Sequence, residues 1–384
     1  MVNGERLKQA RELRGFTQTE LATRLNISQS AIAQMEAGFI QPSDELLTLL
    51  SGILHFPVAF FQQDGPIAFP LGSLLFRARS ATTAMMREKA HRYGQLLFEL
   101  AERLSQLLQG GPQVVLPHVT GSPAEPLDPD HAADITRTAM GLSPDTPIDH
   151  LIASLEQAGV LVLTLPESLK GIDAYATWAG TSTGTGDRKP VIILTRGVPG
   201  DRLRWSLAHE LGHLVMHQPP QGTPGQIEKE ADRFAAEFLM PEIAMRQELI
   251  PPLTLTAFAN LKLRWKVSMQ ALIRRAHDLT LLTDRQYQYL FEQLSARGWR
   301  TREPANLDVE IERPRALRQM VEILDKDPSS KRVIASLFEQ FEQEEWQGIV
   351  MAYEGPESDD LSAWESGDVN SPSAGNVLPF ARRR

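Results

Sequence analysis

The chain has 384 residues, a formal net charge of −9 and no cysteine, which excludes disulfide frameworks and cysteine-held metals. An apolar content of 42% with 23% charged residues is that of a globular protein of two or three domains. No apolar run approaches the ~20 residues of a membrane span, and no apolar signal core opens the chain, so a cytoplasmic protein is expected.

Residues 1–62 read as an all-α module. Leu7, Ala10 and Leu13 share one helix face, closed by Gly15. Thr17 is placed to cap a second helix with Glu20 at the capping-box position, and Ser28 to cap a third that stops at Gly38. A fourth runs from Pro42-Ser43 to about Leu54. Two helices joined by a 3–4-residue turn inside such a module make a helix-turn-helix. The pattern T-Q-x-x-L-A-x-x-L-x-I-S-Q-S-x-I-x-x-M-E-x-G resembles the XRE (phage-repressor-like) family. That resemblance implies double-stranded DNA as partner, with the third helix in the major groove. Gln29, Ser30 and Gln34 would then read base edges, and Gln18 would sit near a phosphate. Gln suits bidentate pairing with adenine, and Ser serves several bases. Against this, Arg6, Lys8, Arg11, Arg14 and Arg24 face six acids in residues 1–62, so the basic footprint of a DNA reader is weak. A module that docks only protein is the alternative.

Residues 63–110 read as a linker followed by a long helix, Thr83 to Leu108, with a stripe at Leu96, Leu97, Leu100, Leu104, Leu107 and Leu108. The stripe suits internal packing or a homodimer seam. Its basic flank (Arg77, Arg79, Arg87, Lys89) reads as solvated surface before DNA contact. The Pro/Gly-rich stretch from Gly110 to Asp130 marks a boundary, and residues 111–303 form the next unit. There, Gly159 to Leu165 reads as a strand. Ile172 to Trp178 and Val191 to Thr195 flank a Gly/Thr-rich turn, Gly180 to Gly186, as a hairpin suited to strand addition by an extended peptide. Tyr175 lies within it, as a core aromatic or, less readily, an aid to an oxyanion.

Trp205 to His217 contains His209-Glu210-x-x-His213. Histidines four apart share a helix face and suit two corners of a zinc tetrahedron. Glu210 is placed as general base for a water whose pKa zinc lowers from about 15.7 toward ~7. A buried helix with two satisfied histidines is the bland alternative, so a third ligand is needed. A second amphipathic helix, stopped by Pro241, carries Glu230 seventeen residues after His213. Glu230 is the first choice, with Glu228 and Glu237 open. His217 lies one turn beyond His213 and fits a supporting role. The segments R-W-S-L-A-H-E-L-G-H-L-V-M-H and E-A-D-R-F-A-A-E-F-L-M-P resemble the ImmA/IrrE family of zinc metallo-endopeptidases. In that family the Glu-bearing second helix supplies the third ligand, which supports Glu230.

Trp265 to Ala276 echoes a second recognition helix, with Ser268 as cap, and reads first as support for the peptidase fold. Residues 304–353 are unassigned and partly helical (Val333 to Gly348), and residues 354–384 lack any period and read as a disordered tail. The expected fold is α+β: an all-α N-terminal module, a linker helix, then a mainly helical zincin-like domain with a small sheet. The two resemblances together imply a stress- or phage-type DNA-binding regulator. Its zinc endopeptidase would cleave an XRE-type repressor or the chain's own N-terminal module. A non-catalytic ligand or metal sensor and a toxin–antitoxin-like partner protein are the alternatives.

Overall fold

The computed structural model describes residues 1–75, 83–121, 126–169, 171–180, 188–217, 222–326, 378 and 380–382. Its N-terminal helices start where short polar side chains satisfy their first amides. Asn3 caps α1 (Gly4–Leu13), and Thr17 with Glu20 closes a full capping box on α2 (Gln18–Leu25). Ser28 caps α3 (Gln29–Glu36) and Ser43 caps α4 (Asp44–Leu54). A short α5 (Val58–Phe61) completes the module. Leu7, Leu21, Ile32, Leu50 and Phe60 are fully buried within it. Full burial stabilises by about 1.5–3 kcal/mol per large apolar side chain.

The long helix α6 (Ala84–Gln106) is a central packing element and leads into a short strand, β1 (Leu108–Gly110). Leu96, Leu97, Leu100 and Leu104 are buried in one core with the N-terminal helices and one face of the sheet. That internal burial uses up the leucine stripe that also suited a dimer seam. Arg6 of α1 makes a buried bidentate pair with Glu99 of α6, at 2.6 and 2.8 Å, so the first module is fastened to α6 by charge as well as apolar area.

The main sheet has the order β2 (Leu161–Thr164), β4 (Lys189–Leu194), β3 (Ala174–Ala179). β3 and β4 pair antiparallel, as the hairpin reading requires, and β2 pairs parallel to β4. Alternate residues point to opposite faces, and the sheet lies between two cores. Leu163, Tyr175 and Ile193 join the α6 core. Val162, Ala176 and Ile192 join a second core with α9 (Gly200–Met216) and α10 (Pro224–Leu239). The same core includes residues of α12 (Leu255–Trp265), α13 (Met269–Asp278) and α14 (Asp284–Ala296). Among the remaining helices, α7 (Pro129–Ala139) packs on α10, α8 (Leu151–Gln157) precedes β2, and α11 (Glu242–Glu248) succeeds α10.

The helix α15 (Ala316–Asp325) returns to α6, and its N-terminus is capped from far away. Glu156 Oε1 accepts the amides of Arg315 and Ala316, both at 2.9 Å. Burial pushes the Glu156 carboxyl up to about 7 against the pull of those two amides. Most of the Gly180–Gly186 turn, the Val333–Gly348 helix and residues 354–377 lie outside the described residues. Within the stretch expected as a tail, a few residues near the end are placed. Leu378 is buried, and β5 (Phe380–Arg382) pairs antiparallel with β1. No described helix is long and apolar enough to cross a membrane.

Candidate metal centre and nucleic-acid interface

Helices α9 and α10 pack closely because Gly212 has no side chain: a Cβ there would lie 3.0–3.3 Å from the Phe234 ring and Cβ. This approach brings the two helices' polar residues together. His209 Nε2 and His213 Nε2 face each other at 3.1 Å. Glu228 reaches both, Oε2 at 3.6 Å from His209 and Oε1 at 3.4 Å from His213. Among the described residues these three form the metal-competent cluster, with ligand atoms within 4.8 Å of one another.

Glu230, the expected third ligand, lies elsewhere: its Oε2 is 3.1 Å from His217 Nε2, and its Oε1 accepts from Gln226. The reason is rotation about the helix. Two residues turn the helix by about 200°, so Glu228 and Glu230 cannot face the same point, whereas Glu228 and Asp232 share a face. Glu237, the other alternative, is committed to a buried ion pair with Arg275 and accepts the Glu242 amide.

The surrounding bonds fix which ring nitrogens carry protons. His209 Nδ1 lies 2.9 Å from Asp232, a carboxylate that can only accept, so the proton sits on Nδ1. Glu230 accepts from His217 Nε2–H, and His217 Nδ1 then accepts from His213 Nδ1–H at 3.0 Å. Both Nε2 lone pairs therefore point into the same gap, as metal-ligating histidines require. Glu228 Oε1 is buried there without a hydrogen-bond partner. Burial opposes a charged His209, but the bonds to Asp232 and Glu228 outweigh it and raise its pKa to about 9, so a metal would gain the Nε2 lone pair by displacing a proton. Burial opposes a charged Glu228 in the same way, yet the two histidines hold its carboxyl well below the usual range. Burial and the neighbouring His213 depress His217, consistent with a neutral relay. A donor set of two imidazoles and one carboxylate, poised to take positive charge, fits a zinc ion with one position left open.

Glu210, expected as the base, is fully buried. Its Oε2 accepts a 2.6 Å bond from the Ser73 hydroxyl, 137 positions earlier. Ser73 in turn accepts the Ala176 amide of β3 at 2.9 Å. Nothing local in the sequence marks Ser73 or Asp232. Tyr175 is core: its hydroxyl donates to Ala90 O of α6 at 2.6 Å. A cleft of about 1060 Å³ lies apart from the histidines, bordered by Trp205, Arg274, Tyr287 and Trp299.

On the N-terminal module, Gln29, Ser30 and Gln34 are exposed on α3, and Gln18 is half-buried. Gln18 donates to Glu36 at 2.7 Å and accepts from Gln29 at 2.6 Å, so two of the expected DNA contacts are pre-ordered. The weak basic footprint has a structural cause. Arg6 is used by Glu99, Arg11 by Glu36, and Arg14 by the Leu54 and His55 carbonyls. Arg87 and Lys89 are described at the start of α6, Lys89 paired with Glu167, while Arg77 and Arg79 lie outside the described residues.

A helix-turn-helix family model matches residues 7–61, and the family model of the IrrE N-terminal-like domain, a peptidase M78 family, matches residues 155–277. The chain thus joins a DNA-binding helix-turn-helix module to a metallopeptidase-type domain, the combination its two resemblances imply. No curated protein matches the chain.

Proposed function

We propose that this protein is a DNA-binding regulator whose second half is a zinc-dependent endopeptidase acting on a helix-turn-helix repressor, either a partner protein or its own N-terminal module. Zinc is held by His209, His213 and Glu228, with Glu228 replacing Glu230 as third ligand. The observation that carries this is the convergence of two Nε2 lone pairs and a buried Glu228 oxygen without a hydrogen-bond partner, beside Glu210. When bound, zinc supplies Lewis acidity and lowers the pKa of a water. Glu210 takes the proton of the attacking water on its carboxylate and returns it to the leaving amine. Asp232 and the His217–Glu230 pair keep both ligand imidazoles in the required tautomer. On DNA, Gln29, Ser30 and Gln34 read base edges while Gln18 positions Gln29.

Metal analysis and cleavage test the reading together. Glu228→Gln loses zinc, whereas Glu230→Gln retains most of it, since outer partners cost about 10–100-fold in affinity. Glu210→Gln keeps zinc and loses about 10²–10⁴ in cleavage of a purified repressor. A second reading, a metal sensor without turnover, is favoured by the burial of Glu210 under Ser73. Under it, Glu210→Gln leaves regulation in cells unchanged and His213→Ala abolishes it.

A further inference from the structure

β3 is one of the two outer strands of its sheet, an edge on which an extended peptide could add. In this chain that edge is already taken, by the segment between the helix-turn-helix and α6. The segment is fixed along α6 at two carbonyls: Ile67 O accepts from Gln95 at 2.8 Å, and Phe69 O is 2.6 Å from His91 Nε2. Phe69 is buried against Phe98 and the His91 ring. The chain then turns through a single 3-10 turn, Gly72–Leu75, laid on β3. Gly72 has φ +56°, and a Cβ there would lie 2.0 Å from Ala176 O, so only glycine permits so close an approach. Ser73 comes next, buried, with its hydroxyl bridging the Ala176 amide and Glu210. Leu74 is buried behind it.

Two groups that a bound substrate needs are therefore occupied at once: a strand-edge amide and the carboxylate that must accept a proton. Resting on the peptidase reading above, we propose that residues 67–75 are a built-in occupant of the substrate groove that keeps the site shut until the segment withdraws. The occupant is tied to the DNA-binding module at its other end. Arg6 Nε of α1 donates to Asp64 O, and the same guanidinium holds Glu99 of α6. Between Asp64 and Gly72 the segment is hydrogen-bonded to Gln95 and His91 of α6, so a shift of the helix-turn-helix along α6 would act on those bonds. The domain that reads DNA or a partner is thereby connected to the domain that cuts. A two-state element of this kind, biased from both ends, is what regulation of one site by another requires.

The test uses the full-length, zinc-loaded chain and two variants. Gly72→Val drives the segment off β3, and Ser73→Ala removes only its two hydrogen bonds. Hydrogen exchange at Ala176 is the first readout: it should rise at least about tenfold in Gly72→Val while α9 stays protected, the signature of a local opening. The second is binding of a fluorescein-labelled peptide copy of residues 66–75, expected for Gly72→Val, weaker for Ser73→Ala and absent for the unaltered chain. The third is hydrolysis of a fluorogenic decapeptide mixture, expected to rise about tenfold or more in Gly72→Val and vanish in Gly72→Val/Glu210→Gln. Peptide binding with an exposed Ala176 but no hydrolysis sinks the peptidase reading and upholds the occupied groove. Unchanged exchange and no peptide binding in both variants overturns the occupied groove, whatever the hydrolysis. A fall in hydrolysis for Ser73→Ala also overturns it, making Ser73 a positioning residue for Glu210, as does cutting of the unaltered chain between residues 71 and 76.

Discussion

The molecule contains the same local turn twice. In α2–α3, Thr17 caps the first helix, Asn26 turns left-handed at φ 54° and ψ 43°, and Ser28 caps the second. In α12–α13, Thr254 caps, Lys266 turns left-handed at φ 55° and ψ 36°, and Ser268 caps. The helices that begin at the second cap are buried to different extents. On α3 only Ile32, Met35 and Glu36 are buried, leaving Gln29, Ser30 and Gln34 outside. On α13, Met269, Leu272, Ile273, Arg275 and Ala276 are buried, and Gln270 and Arg274 border the cleft of about 1060 Å³. Short polar caps and one left-handed residue determine the turn; the share of the second helix that the rest of the chain covers determines its use. The second turn serves the second core, where Lys262 pairs with Asp201 and Glu303 and Arg275 with Glu237, while Arg264 pairs with Glu248 at the surface.

The largest expected difference between the two turns is in stability. Arg275 also donates to Met240 O at 3.0 Å, so Arg275→Met leaves Glu237 buried beside an unanswered carbonyl. Removing one partner of a buried pair costs about 3–5 kcal/mol. The equivalent place on α3, Met35, lies in an apolar core, where Met35→Leu conserves volume and costs under about 1.5 kcal/mol. Chemical denaturation of the two variants measures the gap, and equal losses would show that α13 is no more embedded than α3.

A helix capped across the chain sharpens the contrast with those capped by their neighbours. Glu156 holds the start of α15, and its carboxyl titrates near 7 when folded against an ordinary 4.5. The folded state therefore binds the proton more tightly. Its contribution is complete below pH 4.5 and is lost as pH rises through 7, by up to about 3 kcal/mol. Glu156→Gln keeps an oxygen for both amides, so its stability should stop falling over that range relative to the unaltered chain. Parallel unfolding curves at pH 5 and pH 8 for both proteins decide it.

Legibility in the sequence divides in the same way, between local and distant. The caps at Thr17 and Ser28 sit next to the helices they start, and the histidines sit one turn apart, so both motifs are readable in a short window. The sheet was readable because its strands alternate between two cores. Which glutamate of α10 joins the two histidines was not, because Glu228 and Glu230 differ in rotation about α10, which the packing of Gly212 on Phe234 sets. Ser73 on Glu210 and Glu156 under α15 join positions 137 and 160 apart, and no periodicity in the chain encodes such pairs.

DNA binding is the next contrast in size. On the proposed reading, Gln29→Ala should remove a base-edge contact of about 1–3 kcal/mol and Ser30→Ala a smaller one, weakening specific binding more than non-specific binding. Gln270→Ala and Arg274→Ala leave it unchanged. With Arg6, Arg11 and Arg14 turned inward, few phosphates are neutralised, so affinity should fall only shallowly with salt. Gel-shift titrations across salt with a selected operator read both effects. Loss of binding in Arg274→Ala would make the second turn a nucleic-acid reader as well.

The smallest effect tests the shared turn itself. Ser28 accepts the Ala31 amide at 3.2 Å, and Ser268 accepts the Ala271 amide at 3.1 Å, the same bond at the same place in each turn. Replacing either by Ala leaves an amide at a helix start without its acceptor, at a cost of about 1 kcal/mol. If the turn is a local device, Ser28→Ala and Ser268→Ala destabilise their domains by equal amounts in urea, with unchanged slopes. The functional consequences still diverge. Ser28 Oγ also lies 3.0 Å from Ser30 Oγ, so Ser28→Ala frees a proposed base reader and should weaken specific DNA binding as well. Ser268→Ala touches no such residue and should leave DNA binding intact. A cost at Ser268 well above that at Ser28 would mean that the second turn is held by its core and not by its cap, and the likeness between the two would then be one of shape alone.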